Sequence, residues 1–156
     1  MKTKPKKSAS IHVLNAFWDT SAVVALCCVQ KQSAQAKQAV RVYARQVVWW
    51  GTSVEAISAL NRLIREGYLT ANERPQAFAK LDYLRRHWVE IEPASEVRNQ
   101  AERLLGIYKL RAGDALQLAA ALVWSRGYPR GRYFIGSDNA LSIAAEAEGF
   151  DVVRVM

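Results

Sequence analysis

Short apolar runs that alternate with helical stretches constrain this chain more than any other feature. Ile11–Trp18 reads as a buried strand, followed by helices over Thr20–Val29 and Ser33–Gln46, the second with Ala34, Val40 and Ala44 at apolar positions. Val47–Trp50 is a second strand. The helix after it sets Val54, Ile57, Leu60, Leu63 and Ile64 on one face and Asn61, Arg62 and Arg65 away from it, and Gly67 suits a stop. Thr70–Trp88 is predicted helical, with Pro75 near its first turn, and Val89–Ile91 is predicted strand. Glu96–Leu110 and Ala112–Trp124 are two further helices parted near Gly113. Arg132–Ile135 and Val152–Val155 are strands around a last helix, Asn139–Glu148, which Gly149 ends.

Strands and helices in alternation predict an α/β fold: a mainly parallel central sheet covered on both faces, a three-layer α/β/α arrangement. In such sheets ligands bind outside the carboxyl ends of the strands. Asp19 directly follows the first strand and Asp138 lies just past a later one, so both fall at that end.

The 156 residues suit one domain with a real core, residues 11–156, preceded by a basic arm over residues 1–10 that carries Lys2, Lys4, Lys6 and Lys7. No apolar run reaches the roughly 18 residues that a membrane-spanning helix needs. His12, Asn15 and Asp19 break the segment behind the arm, so no secretory leader and a cytoplasmic location are expected. Cys27 and Cys28 are adjacent and suit small buried apolar groups better than a disulfide or a zinc site. The net charge of +8 favours a polyanionic partner, although a basic surface alone also accounts for it.

Most acids of the chain, Glu66, Glu73, Glu102, Glu146 and Glu148 among them, fall on helix faces expected to be exposed. Asp19, Glu55, Asp114 and Asp138 differ because each stands in apolar surroundings, where a carboxylate is costly unless paired, hydrogen-bonded or bound to metal. All four also lie near predicted helix N-termini, where acids cap amides and oppose the helix dipole. Thr52–Ser53–Val54–Glu55 and Thr70–Ala71–Asn72–Glu73 share one capping-box pattern, so local pattern alone does not separate Glu55 from Glu73. A group of such acids suits Mg²⁺ or Mn²⁺, hard cations that take oxygen ligands and activate water against a phosphodiester. His12 and His87 lack zinc-site spacing.

Several stretches resemble PIN-domain ribonucleases. Phe17–Trp18–Asp19–Thr20–Ser21–Ala22 is similar to the family's opening motif and Ser53–Val54–Glu55–Ala56–Ile57–Ser58–Ala59–Leu60 to its second. Leu110–Arg111–Ala112–Gly113–Asp114–Ala115–Leu116–Gln117–Leu118–Ala119 resembles the third, and Phe134–Ile135–Gly136–Ser137–Asp138–Asn139–Ala140–Leu141 the closing one. The likeness extends over nearly the whole chain from Ile11 and is greatest to VapC-type toxins. It implies a PIN-like α/β/α domain, Mg²⁺- or Mn²⁺-dependent endoribonuclease activity, a homodimer, and an antitoxin that covers the acidic pocket. Carried over by position, Asp19, Glu55, Asp114 and Asp138 would hold metal, with Thr20 or Ser21 as the ordering hydroxyl. The chain departs from the family at Gly136, where Thr or Ser is frequent and Ser137 stands ready as a substitute. It departs again at Gln117, where His is frequent, a position expected to make only a peripheral contact.

Arg111 is positioned to touch phosphate, to steady Asp114, or to face solvent. Trp49 and Trp50 suit core packing and a dimer face more than base stacking, and Arg126, Arg130 and Arg132 with Tyr128 and Tyr133 suit a charged turn. The rival readings are a non-catalytic RNA-binding PIN-like domain and a phosphoryl-transfer domain with Asp19 as nucleophile. The second wants another Asp two residues on, where the chain has Ser21.

Overall fold

The computed structural model describes residues 14–156. The basic arm of residues 1–10, His12 and the first part of the expected opening strand, Ile11–Val13, lie outside them. Five strands, β1 (Asn15–Trp18), β2 (Arg45–Trp49), β3 (Val89–Ile91), β4 (Tyr133–Gly136) and β5 (Asp151–Arg154), form one sheet in the order β3-β2-β1-β4-β5. Every neighbouring pair is parallel, so the described sheet is wholly rather than mainly parallel. Seven helices connect the strands: α1 (Thr20–Cys27), α2 (Ser33–Val42), α3 (Thr52–Arg65), α4 (Arg74–His87), α5 (Ser95–Ile107), α6 (Ala112–Trp124) and α7 (Asn139–Glu148).

The alternation of side chains along each strand builds two cores. Ala16 and Trp18 of β1, Val48 of β2 and Ile135 of β4 pack with α1–α4, while Phe17, Val47, Trp49 and Phe134 pack with α5–α7. Phe17 and Phe134 stack across neighbouring strands with ring centroids 5.5 Å apart. Each ring is fully buried, which contributes about 1.5–3 kcal/mol apiece. This is the predicted α/β/α sandwich.

Several boundaries move from their predicted places. Arg45 and Gln46 belong to β2 and not to the preceding helix, because Tyr43 leaves helical geometry and the next residues pair with Asn15 and Ala16 of β1. α1 stops at Cys27, short of Val29, and α5 stops at Ile107, so the break before α6 falls at residues 108–111 while Gly113 lies inside α6. Residues 70–73 form the turn that caps α4 before the helix begins at Arg74. Gly67 and Gly149 end their helices in the left-handed region, at φ of 78° and 112°, where a β-carbon would be strained. No described helix is long and apolar enough to cross a membrane.

The topology positions the site. From the central β1 the chain proceeds through β2 to the β3 edge, then returns to β4 on the other side of β1 and continues outward to β5. The carboxyl ends of β1 and β4 therefore diverge into connections that leave in opposite directions, the switch point where open α/β sheets form their clefts.

Candidate metal centre

Both connections at that switch point open with an acid. Asp19 is the residue after β1, and its backbone N–H donates to the Ile135 carbonyl of β4 at 3.0 Å. It is also the N-cap of α1: Oδ1 accepts the Ala22 N–H at 2.8 Å and the Ser21 hydroxyl at 2.7 Å. Asp138 caps α7 in the same way, accepting the Leu141 N–H on Oδ1 at 2.8 Å. Capping and site formation do not exclude each other here. Each aspartate commits Oδ1 to its helix, and neither Oδ2 takes a hydrogen bond from the described residues.

Glu55 and Asp114 are not N-cap residues. Glu55, in the first turn of α3, turns inward, and its Oε2 accepts the Thr20 hydroxyl at 2.9 Å and the Gln117 amide at 3.1 Å. Asp114 lies in the first turn of α6, three residues before Gln117 and therefore on the same helix face. Together Asp19, Thr20, Ser21, Glu55, Asp114, Gln117, Ser137 and Asp138 line one cleft of about 570 Å³, which continues past Ser58 and Arg62 of α3. Ser137 joins through its backbone, whose N–H donates to Ser21 Oγ at 3.1 Å.

All four expected acids thus reach one cleft, as do three of the four expected supporting residues. Arg111 is exposed and does not line it. It acts on Asp114 from outside through its charge and its backbone amide, which draw the Asp114 carboxyl down.

The electrostatics are those of crowded negative charge. Asp19 is 1% exposed, and its pKa is pushed up to about 7, chiefly by burial and further by the charges of Asp138 and Asp114, against the pull of Ser21 and the Ala22 amide. Burial also raises Glu55, with Asp114 adding to it and the bonds from Gln117 and Thr20 opposing it. Asp114 is raised by burial and by Asp138.

Among the described residues no three Asp, Glu, His or Cys side chains stand close enough to hold a metal ion as they are. The acids share a cleft without closing on one another. As a donor set they suit one: every candidate ligand is a carboxylate oxygen, two Oδ2 atoms are uncommitted, and a divalent cation would offset the repulsion that raises Asp19 and Asp114.

Comparison with known proteins adds the fold. No protein-family model and no curated protein matches the chain. Among solved structures it is similar to the crystal structure of PAE2754 from Pyrobaculum aerophilum, with a TM-score of 0.56 and 21% identity over 91% of this chain and 90% of that one. The architecture is shared. At that identity the likeness speaks for the fold alone.

Three residues depart from expectation. Gln117 is not peripheral: it is 1% exposed and its Nε2 lies within hydrogen-bond reach of Thr20 Oγ1 (2.6 Å), Thr52 Oγ1 (3.2 Å) and Glu55 Oε2 (3.1 Å). Its signal in the sequence was a single polar side chain inside the apolar run from Ala115 to Val123. Thr52 is fully buried, and Val54, expected in the core, is 67% exposed at the cleft. The inward face of α3 is instead Thr52, Ala56 and Leu60. The tryptophan pair divides, with Trp49 buried and Trp50 half-exposed. Arg126, Tyr128, Gly127 and Gly131 form the expected turn, and Arg132 leaves it to lie over the Trp124 ring at 5.4 Å.

Proposed function

We propose that this chain is a Mg²⁺- or Mn²⁺-dependent endoribonuclease, the toxin of a type II toxin–antitoxin pair. One observation carries the reading: Asp19, Glu55, Asp114 and Asp138, drawn from four separate connections, line one cleft at the switch point of a parallel sheet. Asp19, Asp114 and Asp138 would hold the cation, with Glu55 completing the ring. The cation would supply charge neutralisation and an activated water for attack on a phosphodiester. The protein's own part is positioning. Ser21 and the Ala22 amide fix Asp19, the Leu141 amide fixes Asp138, and Thr20 with Gln117 fixes Glu55. Arg62 at the cleft and the net charge of +8 suit an RNA backbone. The motif resemblance further favours a cytoplasmic homodimer whose antitoxin covers the acidic cleft.

Asp114→Asn tests the reading. Asp114 is half-buried, and asparagine keeps an oxygen that can accept the Arg111 amide, so the substitution is expected to leave the fold intact and to abolish Mn²⁺-dependent RNA cleavage, a loss of about 100-fold or more. Wild-type protein that is inert toward varied RNAs in Mn²⁺ would sink the enzyme reading. The second reading, an RNA-binding domain without catalysis, is favoured by the absence of a ready-made metal group among the described residues. It requires salt-sensitive RNA binding that persists in EDTA and is indifferent to Asp114→Asn.

A further inference from the structure

We infer that Gln117 is a positioning residue: its side-chain amide draws Glu55 off the end of its own helix and holds the carboxylate in the cleft. The two Thr-x-x-Glu segments make the case. At Glu73 the local pattern is realised, since Oε2 accepts the Thr70 N–H and hydroxyl, each at 2.8 Å, and the Glu73 N–H donates to Thr70 Oγ1 at 3.3 Å. At Glu55 the same residue types do otherwise. Thr52 is buried, its hydroxyl oxygen accepts from Gln117, and Glu55 takes the Gln117 and Thr20 donors in place of its own helix amides. One amide, reaching from 65 and 62 residues away on α6, thus stands within hydrogen-bond distance of both members of the box.

The direction of the bonds follows from proton counting. Thr20 spends its one hydroxyl hydrogen on Glu55, so toward Gln117 it is an acceptor, and an amide nitrogen has two hydrogens for the three oxygens around it. Turning the amide end for end would set Oε1 against the Glu55 carboxylate and forfeit these bonds. The orientation is held even though it leaves Oε1 buried without a partner.

The consequence for cation binding rests on the metal-centre reading proposed above; the coupling of Gln117 to Glu55 does not. Two measurements separate them. In EDTA, thermal denaturation of wild type, Gln117→Met, Glu55→Ala and the double variant should be non-additive. Additivity would show that the contact has no energetic weight and overturn the inference. In a Mn²⁺ titration followed by calorimetry, Gln117→Met should weaken affinity about 10-fold, as loss of a ligand's supporting hydrogen bond does. Gln117→His, which restores a ring N–H, should recover most of it, and in the Glu55→Ala background Gln117→Met should change nothing further. An equal loss in both backgrounds would mean that Gln117 acts by packing alone. Should Gln117→Met fail to fold, Thr20→Val removes the other donor without touching α6 and should show the same dependence on Glu55. Wild type that takes up no Mn²⁺ would sink the cation reading, and the EDTA cycle would still decide the role of Gln117.

Discussion

A β-carbon built on Gly136 would stand 3.0 Å from Asp19 Oδ2, 3.2 Å from the Phe134 ring and 3.3 Å from Ser142 Oγ. The carboxylate has little freedom to retreat, because Oδ1 is tethered to the Ala22 amide and the Ser21 hydroxyl. The glycine that departs from the family pattern therefore belongs to the geometry of Asp19. The Ser21 hydroxyl donates to Asp19 and accepts the Ser137 N–H, which ties the two strand ends together. Gly136→Ala is expected to destabilise the fold by about 1–3 kcal/mol, the usual cost of overpacking. Chemical denaturation measures it, and a variant as stable as wild type would show that Asp19 has room to swing aside.

At the scale of elements, the α5–α7 face carries an ion cluster that its helix faces did not announce. Glu148, expected in solvent, is partly buried and accepts from Arg103 Nη1 and Nη2, at 3.2 and 2.6 Å, and from the Tyr108 hydroxyl at 2.9 Å, joining the end of α7 to α5. Burial alone would raise its carboxyl, but the bonds from Arg103 and Tyr108 and the charge of Arg103 outweigh it and hold Glu148 below the ordinary glutamate range. A depressed folded pKa means that the unfolded chain takes the proton first. The contribution is whole above the ordinary glutamate range and is lost as pH falls through the folded pKa. Because Arg103 is 42% exposed, the pair contributes no more than about 1 kcal/mol. Glu148→Gln should therefore be less stable than wild type at neutral pH and should converge with it in acid. A gap that widened as pH fell would contradict the assignment.

At the scale of the whole molecule, a chain of net charge +8 gathers four acids, Asp19, Glu55, Asp114 and Asp138, into one cleft at the carboxyl ends of β1 and β4. A divalent cation bound there would link to folding, since the unfolded chain offers no such group of acids. At about 100 times its dissociation constant a ligand adds about 2.7 kcal/mol to stability. Thermal denaturation in Mn²⁺ and in EDTA should differ accordingly, and Asp19→Asn should remove most of the difference. A melting temperature indifferent to Mn²⁺ in the wild type would argue against a cation in the cleft.

Periodicity and strand ends suffice to read the α/β class, the element order, and the two acids at the carboxyl edge of the sheet, because these depend on neighbours within a few residues. The boundary missed at Gln46 is of another kind, since pairing with Ala16 on a different strand overrides helical propensity there. Glu55 and Glu73 mark where local reasoning ends. Their sequence patterns match, and what divides them is Gln117, brought from another helix by the packing of α6 against the sheet. The burial of Asp19 and the close approach of Gly136 are likewise properties of two strands meeting, which no stretch of either strand contains alone.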